Sequence, residues 1–581
     1  MSVLVTEAAI QIKNLYYTYE KADKLTLTNI NLSIPKGHFT VVMGSAGAGK
    51  TTLLLTLNGL IPQFMEGEWE GTVKIGEDYT DETHIQQLIQ KIGLVMQEPE
   101  TQIFGLTVGE DVAFGPSNLG VSVEEINERI EDCLFKVGLS GYEERSTEFL
   151  SGGEKQRLAV AGILAIGPDI IVLDEPTSEL DPEGKDAIFQ IVKGLQKQRG
   201  MTVVMAEHES ERILAHADHV IVLKEGSIIW DGDPQRLFAE EKLVQLFNLR
   251  PPEVSKFYWE LKKKGIKLGE KSPRTVEELY ELLKSQPLAY SAATSTTCLE
   301  KENHCHSTSE PILQVENLKH VYPNGQEALK GINTTIYQGD YIAIIGQNGA
   351  GKSTFCKHFN RLLSPTDGRI LFRGEDISNR STSELAQSIG YVFQNPDHQI
   401  FSPTVYEEVT WGLKIREVNE EKQRKLAHEV LEFVGLNEYA TKHPLSLSKG
   451  LRQRLAVASV LILEPEILII DEPTTGQDWQ GTQDMLQLIN RLHERGHTII
   501  IITHNMSLVT DYAKRIFIMG KGQLLKDCQP SETFNDQEIL KQAKITPTQL
   551  VQLAEKLHLI DSDMTVPTMV EKLLDRGHSL A

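Results

Sequence analysis

The sequence predicts an α/β fold written as two tandem copies of one unit, on three observations. The chain repeats itself: Gly44-Ser45-Ala46-Gly47-Ala48-Gly49-Lys50-Thr51-Thr52 returns 302 residues later as Gly346-Gln347-Asn348-Gly349-Ala350-Gly351-Lys352-Ser353-Thr354. Each glycine run follows a short apolar, β-prone run, Phe39–Met43 or Tyr341–Ile345, and leads into helix formers. Finally, the wholly apolar runs 170–173 and 467–470 read as strands buried in a parallel sheet, each ending in an acidic pair, Asp174-Glu175 or Asp471-Glu472.

The repeat extends along the whole chain, as expected when one structural unit is duplicated. Gln97-Glu98-Pro99-Glu100-Thr101-Gln102-Ile103-Phe104 returns 297 residues on as Gln394-Asn395-Pro396-Asp397-His398-Gln399-Ile400-Phe401. Leu150-Ser151-Gly152-Gly153 pairs with Leu447-Ser448-Lys449-Gly450, and His208 with His504. The second copy is thus about five residues shorter between its first two motifs (302 against 297) and nearly collinear afterwards. Even the tails match, Pro273, Val276, Glu277 and Leu279 with Pro567, Val570, Glu571 and Leu573. The pattern predicts a first unit over 1–239, a helical appendage over 240–285, a Ser/Thr-rich linker over 286–310, a second unit over 311–535 and a second appendage over 536–581. Cys298, His304, Cys305 and His306 fall in that linker without a second ligand pair at finger-like spacing, so a solvated linker is the better reading than a metal site.

Composition narrows the function classes. A length of 581 residues allows three or four domains, and 40% apolar with 24% charged residues excludes a disordered or fibrous chain. With 58 basic and 81 acidic residues the net charge is −23, which argues against a nucleic-acid partner. No run of about 18 apolar residues exists, so no membrane span is expected. The N-terminus lacks the regions of a signal peptide, and five mostly isolated cysteines suit a reducing compartment.

The motifs describe phosphate chemistry. Strand, glycine loop and helix is the context of a P-loop, whose backbone N–H groups close around phosphate oxygens at a helix N-terminus. Lys50 and Lys352 would reach the β/γ-phosphates, and Thr51 and Ser353 would ligate Mg²⁺. Acidic pairs at buried strand ends are costly unless they serve a cation. Asp174 and Asp471 would complete the Mg²⁺ sphere, leaving Glu175 and Glu472 to polarise the attacking water.

Ser151-Gly152-Gly153-Glu154-Lys155-Gln156, about 20 residues before an Asp-Glu pair, resembles the signature loop of ATP-binding-cassette (ABC) ATPases. The resemblance covers 1–240 and 311–530. It implies two tandem P-loop ABC nucleotide-binding domains, each a mixed-sheet core with a helical subdomain and a small helical C-terminal appendage. It further implies an ATPase in which each ATP lies between one cassette's P-loop and the other's signature, Ser151, Gly152 and Gly153 or Ser448 and Gly450. By the same resemblance Tyr19 and Tyr322 stack on adenine, and Gln97 and Gln394 sense Mg²⁺ and water. Asp181 and Asp478 are D-loop aspartates, and His208 and His504 are switch histidines near the γ-phosphate. Gln-x-Pro-x-x-Gln-Ile-Phe, followed by Thr107 to Gly115 and Thr404 to Gly412, is similar to the energising ATPases of energy-coupling factor (ECF) and cobalt-type importers. That likeness implies a transmembrane coupling subunit and a substrate-binding membrane subunit as separate chains, a place on the cytoplasmic face of the cell membrane, and a cassette dimer closed within one chain. The alternatives are a fused sugar- or peptide-importer ATPase and a ribosome-associated twin-cassette ATPase, the latter disfavoured by the low-charge linker and the acidic balance. The second signature departs from the family at Lys449, as does its D-loop, Thr475-Gly476-Gln477-Asp478-Trp479. Slower turnover is therefore expected where the first P-loop meets that signature.

Overall fold

The computed structural model describes residues 7–285 and 310–578, apart from 23, 179, 507–508, 510–511, 534–535 and 560–564. The cysteine- and histidine-bearing linker positions 298 and 304–306 lie outside the described residues. The chain divides into two compact units, Met1–Ser285 and Gln286–Ala581.

In the first unit the six-stranded sheet runs Ser227–Gly232, His219–Lys224, Phe39–Met43, Thr202–Ala206, Ile170–Asp174, Ile92–Val95 from edge to edge. All neighbours are parallel except the first pair. The physical reason is burial on both faces: every residue of Phe39–Met43, Ile170–Asp174 and Thr202–Ala206 is buried, as predominantly apolar strands at the centre of a parallel sheet require. The second unit repeats the order with Tyr341–Ile345 between Thr498–Ile502 and Arg515–Gly520. The α/β class and its duplication are therefore as the sequence predicts. A four-stranded antiparallel sheet lies in each unit, centred on Ala8–Tyr19 or Pro311–Val321. Leu27–Pro35 in that sheet alternates between buried and accessible positions, the mark of a half-covered strand.

A helical layer follows Gln97. It comprises Val108–Asn118, Val123–Val137 and Gly152–Ile166, with Val405–Ile415, Glu420–Val434 and Lys449–Leu461 as the second copy. The start and stop of Val123–Val137 are local chemistry: the Ser122 hydroxyl accepts from the Glu125 N–H, and Gly138 ends the helix in left-handed backbone.

Each unit ends in short helices. In the first, Trp259 Nε1 donates to the Phe238 carbonyl at 2.9 Å, and Arg274 donates to the carbonyls of Ala217 (2.8 Å) and Leu214 (3.1 Å) at the end of helix Ser210–His216. That helix follows His208, so the tail is tied to the histidine loop. In the second unit the tail touches the P-loop instead, where the Gln347 N–H donates to the Ala543 carbonyl at 3.2 Å.

Candidate phosphate-binding sites

Each P-loop is shaped by glycines that no other residue can replace. Gly44 has φ +150°, and a Cβ there would stand 2.4 Å from the Leu223 carbonyl oxygen. At Gly346 the clash is 2.2 Å, with Met519. A side chain is excluded by backbone at both places. Helices Lys50–Leu57 and Lys352–Lys357 start directly at the lysines.

Both lysines are buried, and each ammonium folds over its own loop. Lys50 Nζ donates to the carbonyls of Gly44 (3.1 Å) and Ser45 (3.2 Å); Lys352 Nζ donates to those of Gly346 (2.7 Å) and Gln347 (3.0 Å). Lys50 also lies 3.3 Å from Glu175 Oε1.

Glu175 and Glu472 stand one residue past the strands ending at Asp174 and Asp471, with φ +43° and +50°. Left-handed backbone is unfavourable for a residue with a side chain, and such strain concentrates at working sites. Each carboxylate meets the histidine of its own unit at 2.9 Å, through Nε2 in His208 but Nδ1 in His504. Gln97 Nε2 donates to the other oxygen of Glu175 at 3.4 Å. Burial pushes the Glu175 carboxyl up, but the His208 contact and the Lys50 ammonium outweigh it and bring it down to about 2. Asp174 and Asp471 are different. Burial holds both carboxyls above their ordinary range, against the hydroxyls of Thr51 and Ser353 that favour the charged form. Asp174 Oδ1 and Asp471 Oδ1 are buried without a hydrogen-bond partner.

Tyr19 and Tyr322 stand beside the loops. Their hydroxyls share hydrogen bonds with Thr52 Oγ1 (3.1 Å) and Thr354 Oγ1 (3.0 Å). The ring beneath differs: Tyr17 packs edge-on to Tyr19, whereas His320 packs edge-on to Tyr322.

The remaining motif residues cluster elsewhere in each unit. Ser151 caps helix Gly152–Ile166 in a reciprocal box with Glu154, and Gly153 approaches Leu180 of the loop before Asp181. Asp181 and Asp478 cap the helices that follow them, accepting from the N–H groups of Gly184 (2.9 Å) and Gly481 (2.7 Å). Ser448 makes no side-chain cap hydrogen bond. Lys449 lies across Gly476, its Nζ 2.8 Å from where a Cβ would stand. Gln394 lies two residues past strand Ile389–Val392 and is exposed.

Residues that motif spacing does not reveal also enter. Tyr391 OH donates to Asp471 Oδ2 at 2.8 Å, where the first copy has Leu94. Glu207, beside His208, is a second unforeseen partner. Comparing the two copies position by position is the signal that finds them. Among the described residues no group of three or more His, Cys, Asp or Glu is arranged to hold a metal ion by itself, and no helix is long and apolar enough to cross a membrane.

Comparison with known proteins follows the same division. The ABC transporter family model matches residues 27–178 and 329–475, together more than half of the chain. A protein of Caldanaerobacter subterraneus subsp. tengcongensis, named as an ABC transporter ATP-binding protein, is 39% identical over 558 residues, covering 95% of this chain and 97% of its own. Similarly named proteins of Methanosarcina acetivorans and Vibrio vulnificus are 39% and 36% identical, over 96% and 98% of this chain and 92% and 99% of theirs. A solved chain, cbiO1 of Clostridium perfringens, described as part of the ABC transporter complex cbiONQ, is 38% identical with a TM-score of 0.38, over 42% of this chain and 99% of that one. The chain belongs to the ABC transporter family, as the ATP-binding, ATP-hydrolysing subunit of a transporter with both cassettes in one polypeptide.

Proposed function

We propose that this ATPase energises a membrane importer of the ECF type, whose cargo is a vitamin, a vitamin precursor or a metal ion. The observation that carries the reading is an exposed aromatic pair at the same place in both copies, formed by the Phe of the Gln-Ile-Phe stretch and a ring ten residues on. Phe104 and Phe114 stack at 5.4 Å, and Phe401 and Trp411 meet edge-on at 5.1 Å. Phe104 is 67% and Phe401 63% exposed. The backbone that carries Phe104 and Phe401 is tied down from behind. Asp111 accepts from the N–H groups of Phe104 (2.8 Å) and Gly105 (3.0 Å), and Glu408 from those of Phe401 (3.0 Å) and Ser402 (2.8 Å). A fixed apolar pair facing water is a surface for a protein partner, here the cytoplasmic segments of a transmembrane coupling subunit, with a substrate-binding membrane subunit alongside. The chain then works peripherally, at the cytoplasmic face of the cell membrane.

Two ATP molecules would be bound, each with its purine on Tyr19 or Tyr322 and its phosphates within the backbone N–H cradles 44–52 or 346–354. Lys50 and Lys352 then exchange loop carbonyls for phosphate oxygens. The partnerless buried oxygens of Asp174 and Asp471, opposite the hydroxyls of Thr51 and Ser353, suit a hard cation. Mg²⁺ would be held there, with Gln97 and Gln394 near, and would neutralise charge gathering on the phosphates. Glu175 and Glu472 orient the attacking water and take its proton, while His208 and His504 hold those carboxylates. The signature residues Ser151, Gly152 and Gly153, and Ser448 and Gly450, complete the opposite site of a dimer closed within the chain. Asp181 and Asp478 fix the loops beside them.

Purification from native membranes is expected to recover two kinds of integral membrane protein, and Phe104→Asp with Phe401→Asp to reduce that recovery at least tenfold. Recovery with ribosomes, or recovery unaffected by both substitutions, overturns the reading. Tyr19→Ala and Tyr322→Ala should each weaken ATP binding at their own site by roughly tenfold, the scale of one aromatic stacking contact. Calorimetry on the single variants measures it. Tyr→Phe, which loses only the hydroxyl tie to Thr52 or Thr354, should cost less.

A further inference from the structure

The duplicated chain carries its own control, because equivalent positions differ where only one copy uses a device. Glu207 and Thr503 are equivalent in place. Each follows the strand that ends at Ala206 or Ile502, and their N–H groups donate to Val42 (3.2 Å) and Ile344 (3.1 Å) of the strand leading into each P-loop. Their side chains differ. Glu207 is 3% exposed, and its carboxylate is fully used. One oxygen accepts from the hydroxyl of Thr177 at 2.5 Å, the other from the backbone N–H of His208 at 2.7 Å. Thr177 lies two residues beyond Glu175, so this buried carboxylate joins the glutamate loop to the histidine loop. In the second copy Thr503 Oγ1 accepts from the Asn505 N–H at 3.1 Å.

A second tie lies two residues beyond Glu207, at Glu209. Glu209 pairs with Lys185 and with Arg212 (3.1 Å), and Arg212 pairs with Asp186 at 2.7 Å. Lys185 and Asp186 belong to helix Pro182–Arg199, which Asp181 caps. Burial opposes charge on Glu209, but Lys185 and Arg212 hold its carboxyl far below the ordinary range. The second copy has Thr482, Gln483, Asn505 and Leu508 at these four positions, none of them charged.

We propose that Glu207 is a positioning residue for ATP hydrolysis in the first cassette, clamping the loops of Glu175 and His208 into one unit, a device the second cassette lacks. The proposal rests on the reading of Glu175 as the residue that orients water. A buried carboxylate accepting two hydrogen bonds is hard to replace, since a partner left unsatisfied in the interior loses its full hydrogen bond. Without the clamp the His208 backbone loses its acceptor, and the 2.9 Å contact between imidazole and Glu175 loses its support.

The test places Glu207→Thr in a Glu472→Gln chain, where the remaining turnover belongs to the first cassette. The expected result is a fall in kcat of about tenfold with KM for ATP nearly unchanged, part of the 10²–10⁴ that a positioned proton-transfer group supplies. Glu207→Gln, which keeps one acceptor oxygen, should fall less. The loss from Glu207→Thr should be several-fold greater in the Glu472→Gln chain than in a Glu175→Gln chain. Hydrogen exchange supplies a readout independent of turnover, because the His208 amide should exchange faster in Glu207→Thr. Equal losses in the two backgrounds, an unchanged kcat, or a Glu472→Gln chain with no turnover at all each overturn the proposal. If a chain carrying both Gln substitutions hydrolyses ATP at the wild-type rate, the assignment of the two glutamates fails, and this proposal with it. An unchanged kcat with that double chain inactive defeats the clamp alone.

Discussion

Glu472→Gln is expected to remove most of the steady-state ATP hydrolysis, whereas Glu175→Gln leaves the larger part. The reason is in the second cassette's signature. Where the first copy has Gly152, with open space around it, the second has Lys449, whose side chain lies over Gly476 of the loop before Asp478. The first signature helix begins with the reciprocal Ser151–Glu154 box, and the second begins at Ser448 with no side-chain cap. In the proposed pairing, the altered signature completes the site of Lys50, Thr51, Asp174 and Glu175. The intact one completes the site of Lys352, Ser353, Asp471 and Glu472. Losing one well-placed contact to the transferring phosphoryl group costs on the order of 10²–10³ in rate. The first P-loop's site is therefore expected to be the slower one, and its residual turnover is what a Glu472→Gln chain should show. The competing outcome has a physical basis too, since Lys449 brings a positive charge of its own. Equal losses from the two substitutions, or a larger loss from Glu175→Gln, would establish that the lysine replaces the glycine without penalty.

Gly346→Val is expected to lower the ATP stoichiometry measured by calorimetry with a non-hydrolysable analogue from two per chain to one. A Cβ at that position would meet the Met519 carbonyl oxygen at 2.2 Å, and backbone φ is +148°. The carbonyl belongs to strand Arg515–Gly520, parallel to the strand that leads into the loop, so it cannot yield without disturbing the sheet. The loop must move instead, carrying away the N–H groups that close on phosphate. Gly44→Val should do the same for the first site through Leu223. Gly349→Ala separates clash from strain. No atom lies within 4 Å of its added Cβ, and only φ +78° opposes the side chain. A cost of about 1–2 kcal/mol is expected there, which weakens binding without abolishing it. The untouched cassette reports in the same titration whether the chain is folded. Two sites persisting in Gly346→Val would overturn the reading of this loop.

The duplication, the α/β class and the two P-loops were legible in the sequence because each has a short-range signature. A five-residue, mostly apolar and β-prone run before a glycine loop forces a central strand, and the same words at offsets of 302 and 297 admit one architecture twice. The acidic strand ends picked out Glu175 and Glu472, and the repeat with the family resemblance picked out His208 and His504, which the fold brings to 2.9 Å from them. Tertiary structure alone decided how they meet. Which imidazole nitrogen faces the carboxylate, the left-handed backbone of the two glutamates, and the ties from Tyr19 and Tyr322 to the threonines after each P-loop carry no periodicity that a sequence displays. The Glu207 clamp is of the same kind. In sequence it is one acidic residue beside a histidine, 30 residues from Thr177. It becomes a link only because parallel strands Ile170–Asp174 and Thr202–Ala206 end side by side, so that the loops leaving them meet over one buried carboxylate. Sequence determines what each strand must bury. Which polar groups then face each other across strand ends depends on the register between strands, which is set only when the sheet closes.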